Sequence, residues 1–449
     1  MNRRILVLLS VLMVAMLALT ACPGSSSTPA DSGSSDTASS GGDAASSGDA
    51  ASTEGTKITA VMGSTIREGE QAAIDYCIEQ TGLEVEVVNG PESATDRIAQ
   101  YLQFFGAQSS DVDVLMIDVI WPGILAEHLI DLSPYVDNPD DYFQRIIQNN
   151  TVDGALVGIP WFTDAGLLYY RTDLLEKYGY DAPPTTWSEL QEMATKIQEG
   201  ERADNPDFWG FVWQGNAYEG LTCDALEWQV SNGGGEIVEA DGTISINNEY
   251  AAAAFDQAAG WVDTISPPGV VSYQEEDARG VWQAGNAAFM RNWPYAYSLG
   301  NADDSAIKGN LAVVPLPKGD GPDARNADTL GGWQMAVSKY SEHPEAAGQF
   351  AACIAGKDAQ KLLAIGDSKL PTIGSLYEDA EVLDKNPFFS QLFDVFNGGA
   401  VARPSTVTSD KYNEVSTIYF TEVNKVLTGA QTGQQAVESI ESQLQDLLQ

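Results

Sequence analysis

The chain has 449 residues, 43% of them apolar, enough for a large core but more than one compact core usually organises, so two lobes are expected. Lysine and arginine number 23 against 64 aspartates and glutamates, a formal charge of −41. That field disfavours nucleic acid and anionic substrates, and a neutral ligand fits it best.

Arg3 and Arg4 precede an apolar run over 5–19, then Thr20, Ala21 and Cys22. This is the pattern of an export signal over residues 1–21, too short to span a bilayer comfortably. Leu19-Thr20-Ala21-Cys22 resembles a bacterial lipobox, which implies cleavage before Cys22 and lipidation of that cysteine. An ordinary signal peptide containing a cysteine is the alternative. Residues 22–55 are almost entirely Ser, Gly, Ala, Asp and Thr. Without large apolar side chains they cannot bury a core, and they read as a flexible tether.

Beyond the tether the pattern predicts a strand over 57–62, a helix over 68–80 stopped by Gly82, and a strand over 83–88. A helix capped by Ser93, with Asp96 three residues on, then runs to about 107, ahead of a strand over 112–119. This is βαβαβ, which implies a parallel sheet with ligands at the carboxyl ends of its strands, where Asp118 and Trp121 lie. Strands follow at 154–160 and 167–170. Thr186 and Glu189 form a capping box opening a helix that ends near Gly200. Helices are predicted over 221–231, closed by Gly233-Gly234-Gly235, and over 249–265. Short strands recur at 287–291, 311–314 and 334–337, and helices fill the rest. The fold class is α/β throughout.

Cys77, Cys223 and Cys353 remain beside Cys22, an odd number without CxxC spacing, so at least one thiol is unpaired and a disulfide framework is not what holds the fold. One bridge among the three is allowed, and the sequence does not choose the pair. The two histidines, His128 and His343, each stand alone; His343 precedes Pro344 where a helix begins, which points to a surface or capping role. No metal or cofactor is expected. HExxH, GxSxG, Walker A and GxGxxG are all absent. A secreted glycosidase with a carboxylate pair is the enzymatic alternative, and a surface lectin the other.

Sugars present hydroxyls that donate and accept, and flat C–H faces, so their sites combine carboxylates, arginine and amides with aromatic rings. This chain sets such residues beside Gly and Pro at strand ends: Arg67-Glu68, Asp118-Val119-Ile120-Trp121-Pro122, Trp161-Phe162-Thr163-Asp164, Tyr218-Glu219-Gly220, Asn292-Trp293-Pro294-Tyr295, Gly331-Gly332-Trp333 and Arg403-Pro404.

Those segments, in that order, resemble the extracellular solute-binding proteins of bacterial sugar ABC importers, and look closest to the trehalose/maltose-binding branch. The stretch from Phe211 to Cys223 carries the most specific match, supported by Ile159 to Gly166 and by Pro344-Glu345-Ala346-Ala347. The resemblance implies a non-catalytic receptor with two α/β lobes that close on a neutral, α-linked disaccharide of the trehalose, maltose or sucrose type. It implies delivery to permease subunits in the membrane, with the receptor a monomer. Lobe 1 would comprise 55–163 plus 333–356, and lobe 2 164–332 plus 357–449. Carried over by position, Glu68, Asp118 and Asp164 would accept hydrogen bonds from sugar hydroxyls. Trp293 and Trp333 would stack on the sugar, Gly331 would allow close backbone approach, and Arg403 would bridge hydroxyls. Arg97, Trp121, Phe162, Tyr218 and Glu219 are further ligand candidates. Phe162 stands where relatives often carry tyrosine, which removes a hydroxyl and bears on the sugar preferred.

Overall fold

The computed structural model describes residues 53–449, apart from 322 and 395–399 and the side chains of 391, 393 and 394. The expected signal peptide over 1–21, Cys22 and the tether up to residue 52 lie outside the described residues. Residues 53–55, at the end of the expected tether, already bond to the fold: the Gly55 N–H donates to Gly82 O at 2.8 Å.

The βαβαβ opening forms as strands Lys57–Met62, Glu84–Asn89 and Val114–Asp118 with helices Glu68–Thr81 and Ala94–Gly106. Its boundaries follow local chemistry. Gly82 takes the left-handed conformation, φ 68°, and its N–H closes the first helix on Ile78 O. The Ser93 side chain accepts from Asp96 N–H at the start of the second. Lys57–Met62 pairs in parallel with both other strands.

The first lobe is a seven-stranded sheet. Its order runs Leu370–Pro371, Ile159–Ala165, Asp328–Val337, Val114–Asp118, Lys57–Met62, Glu84–Asn89, with Ala400–Val401 joined to the start of Asp328–Val337. Sequence pattern predicts a strand only over 334–337. The observed strand begins six residues earlier because Asp328 and Thr329 pair with Ala400 and Val401, and Gly331 and Gly332 with Asp164 and Thr163, distant partners that no local pattern encodes. The second lobe is built on a four-stranded sheet, Leu311–Pro315, Leu167–Arg171, Ala287–Asn292 and Trp209–Val212. Strand Ile159–Ala165 passes through Gly166 directly into Leu167–Arg171, so the chain crosses between lobes with no linker.

Trp187, Trp213, Trp228 and Trp261 form one aromatic cluster in the second core, their rings meeting at centroid distances of 5.0–6.4 Å. Helix Trp187–Glu201 starts on the predicted capping box. Helix Glu219–Ser231 begins two residues before the expected start, and all thirteen of its residues are buried. The helix expected over 249–265 ends at Trp261, where Val262 turns to extended backbone. Helix Lys357–Asp367, expected in lobe 2, packs Ala359 and Leu363 into the first lobe's core beside Ala73 and Ile74.

Cys77 and Cys353 form a disulfide across 276 residues, joining helices Glu68–Thr81 and Pro344–Ile354. Cys223 is free and buried. His343 is the N-cap residue of Pro344–Ile354, without a side-chain cap bond. His128 stacks on Phe105 at 4.8 Å. Among the described residues no group of histidine, cysteine and carboxylate side chains is arranged to hold a metal ion, and no helix is long and apolar enough to cross a membrane.

Candidate functional site

Three neighbouring strands of the first sheet deliver one wall of a cleft. Trp333 pairs with Asp118 on one side and with Phe162 on the other, and Gly331 pairs with Asp164, so these side chains emerge at one level of the sheet. A bulge follows between Trp333 and Gln334. Gly332 has φ +129°, and a Cβ there would lie 2.7 Å from Phe162 O, so only glycine lets the strands approach this closely. The second lobe supplies the facing wall, Trp293 beyond strand Ala287–Asn292 and Tyr218 and Glu219 at the start of helix Glu219–Ser231, with Arg403, just after Ala400–Val401, between the two walls. The cleft between the two walls is open to solvent and leaves a cavity of about 150 Å³.

Arg403 ties the walls together. Its Nη2 donates to Asp118 Oδ1 at 2.9 Å and its Nη1 to Glu219 Oε1 at 2.8 Å. Its side chain is 2% exposed and its Nε, also buried, has no hydrogen-bond partner among the described residues. Glu219 also accepts from Tyr412 Oη and, at 2.6 Å, from Ser416 Oγ. Burial nonetheless raises its pKa, with Arg403 opposing.

Arg67 makes a second crossing. Its Nη2 lies 3.3 Å from Glu276 Oε1, and its guanidinium lies over the Tyr295 ring at 4.3 Å. Tyr295 donates to the same Glu276 oxygen at 2.7 Å. Lys369, buried, pairs with Glu70 and lies over Phe162 at 4.2 Å. Burial would raise the Glu70 pKa, but the charge and hydrogen bond of Lys369 hold it below the usual range.

Asp164 differs from these. It is 7% exposed and lines the cleft, yet no donor among the described residues reaches its carboxylate. Burial pushes its pKa up to about 8; Lys369 opposes the rise and Asp118 adds to it.

Of the residues expected to touch ligand, Asp118, Asp164, Trp293, Gly331, Trp333 and Arg403 line this one cleft, as do Arg97, Phe162, Tyr218 and Glu219. Their contacts with a ligand belong to the proposal below. Trp293 and Trp333 are half-buried. Arg97 spends its donors on Met62 O and Pro91 O while lying 4.9 Å from the Trp333 ring centre, so it braces the wall. Trp121 is buried outside the cleft and meets Trp333 edge-on at 5.6 Å. Glu68 is exposed and does not line the cleft; Arg67 and Glu70 do. At about 100° per helical residue, Glu68 and Glu70 point to nearly opposite sides, which sends the first to solvent. Sequence reasoning missed Glu70, Lys369, Glu275 and Glu276, and quoted Tyr295 within its segment without assigning it a role. Tyr295 and Glu276 carried an available signal, a polar aromatic after Trp293-Pro294 and an acidic helix start.

The family model for bacterial extracellular solute-binding proteins matches residues 63–361. The chain belongs to this family. It is a binding protein and not an enzyme, and the two-lobed architecture is the family's. A probable ABC transporter-binding protein of Deinococcus radiodurans is 51% identical over 372 residues, 82% of this chain and 88% of that one. The maltodextrin-binding protein MdxE of Bacillus subtilis is 27% identical over 232 residues, 49% of this chain and 50% of that one. Among solved structures, maltose-bound T. maritima MalE3 superposes with a TM-score of 0.82 and 41% identity, covering 87% of this chain and all of that one.

Proposed function

We infer that this solute-binding protein captures an α-linked disaccharide of the maltose, trehalose or sucrose type by closure of its lobes and delivers it to the permease of an ABC transporter. It acts outside the cytoplasm as a monomer, held at the membrane by lipid on Cys22. The observation that carries the reading is the pairing of two half-buried tryptophans, Trp333 from the first lobe and Trp293 from the second, around the unpartnered carboxylate of Asp164. Rings supply faces for sugar C–H groups, and a carboxylate without a protein donor is matched by hydroxyls. The likeness to MalE3 and MdxE, whose names specify maltose and maltodextrin, supports the same ligand class. In this reading Asp118 Oδ2, which no described residue bonds, also serves hydroxyls. Because the contacts come from both walls, ligand stabilises the closed form over the open one.

Tryptophan fluorescence titrated with trehalose, maltose, sucrose, glucose and maltotriose tests this. Saturable binding of one α-glucoside is expected, with Trp293→Ala weakening it by about 30-fold, roughly 2 kcal/mol. No response to any of the five overturns the assignment.

A further inference from the structure

Trp293 rests on a buried charge cluster outside the cleft. Arg291, two residues earlier and near the end of strand Ala287–Asn292, is 1% exposed and does not line the cleft. Its Nε and Nη2 donate to the two oxygens of Glu227 at 2.9 and 2.5 Å, and its Nη1 donates to Gln214 Oε1 at 3.1 Å. Its Nε also lies 3.0 Å from Asp224 Oδ1. Asp224 and Glu227 stand three residues apart on the wholly buried helix Glu219–Ser231. Glu227 is itself held, its Oε1 accepting from Thr329 N–H at 3.2 Å.

Two carboxylates face one guanidinium in the core, and burial raises the pKa of both. Replacing a buried ion cluster by hydrocarbon is often neutral or stabilising, so stability alone is weak grounds for this one. Its geometry supplies the explanation. A guanidinium held at all three nitrogens has a fixed plane, and its carbon lies 4.1 Å from the centre of the Trp293 ring. The indole is fixed at its edges as well: Nε1 donates to Glu275 Oε1 at 3.3 Å, and a Cβ on Gly331 would come within 3.1 Å of Cζ3.

We propose that Arg291, clamped by Asp224 and Glu227, is the positioning residue for Trp293, covering one face of the indole so that the opposite face is presented to the ligand. The binding part of this claim rests on the sugar reading above; the orientation of the ring does not.

The test uses the full chain labelled with 5-fluorotryptophan, the Trp293 resonance being identified by its loss in Trp293→Phe. Arg291→Met alone would strand two buried carboxylates, so the variant is Arg291→Met/Asp224→Asn/Glu227→Gln, with Arg291→Lys, which keeps the charge and loses the fork, deciding the matter should the triple variant not fold. In either variant the Trp293 line should shift or broaden while the resonances of Trp121 and Trp333 stay in place. Affinity for the sugar that the wild type binds should fall about tenfold, and that loss should vanish when the same substitutions are compared in a Trp293→Ala background. A Trp293 line at its wild-type position overturns the proposal, as does an equal affinity loss without Trp293. If the wild type binds none of the five sugars, the sugar reading fails by itself and the fluorine line alone decides the role of Arg291.

Discussion

Asp164 sets ligand recognition against stability within a single side chain. Its pKa of about 8 in the folded protein lies above that of an unfolded aspartate, about 3.9. For an acid shifted in this direction, the folded state binds the proton more tightly, so ionisation erodes stability as pH rises from about 3.9 to about 8. Asp164→Asn removes that penalty. Its urea unfolding free energy should equal wild type near pH 4 and exceed it by some 2–4 kcal/mol at pH 7, while its sugar affinity falls. A stability difference that does not change with pH contradicts the argument. The Asp164 position at a strand end was legible in the sequence. Its lack of any donor was not, because that depends on what the facing strands and the second lobe withhold.

At the scale of elements, the structure divides into what neighbours in sequence decide and what distant segments decide. The Ser93 cap, the Thr186–Glu189 box and the Gly82 stop each involve residues at most four positions apart, and each stands where the pattern places it. The Cys77–Cys353 bridge spans 276 residues, and three cysteines offer three pairings that only the approach of two helices resolves. Cys77→Ser/Cys353→Ser should lose about 2–5 kcal/mol of stability. Dithiothreitol should lower the wild-type urea midpoint to that of the variant and leave the variant unmoved; an effect of reductant on the variant would place the sensitive group elsewhere. The strand Asp328–Val337 makes the same point, since Gly331 and Gly332 are weak strand formers alone and are held by pairing with Asp164 and Thr163, far away in the chain.

For the whole molecule, the two lobes meet through charged contacts as well as through any ligand. Arg403 joins Asp118 to Glu219, and Arg67 reaches Glu276 and Tyr295. The Arg67 contact is partly exposed, its two charged side chains 21% and 33% accessible, so its ion pair contributes little and its ring contact somewhat more. Arg67→Ala should weaken sugar binding by about fivefold, roughly 1 kcal/mol, mostly through faster dissociation as the closed form loses a cross-lobe contact. Stopped-flow fluorescence measures this. An unchanged dissociation rate would mean that the contact does not contribute to closure.

The sequence by itself determined the α/β class and several helix caps through local pattern, and a resemblance whose motifs sit at strand ends named ten residues that line the cleft, their contacts with ligand remaining part of the proposal. It did not determine the pairing of Lys369 with Glu70, 299 residues apart, the stacking of Arg67 on Tyr295, or the buried cluster beneath Trp293. Local pattern reports what a residue's own neighbours require of it. Which charge is paired, which is left for a ligand and which fixes a ring are properties of surfaces brought together from distant parts of the chain, and only tertiary packing sets them.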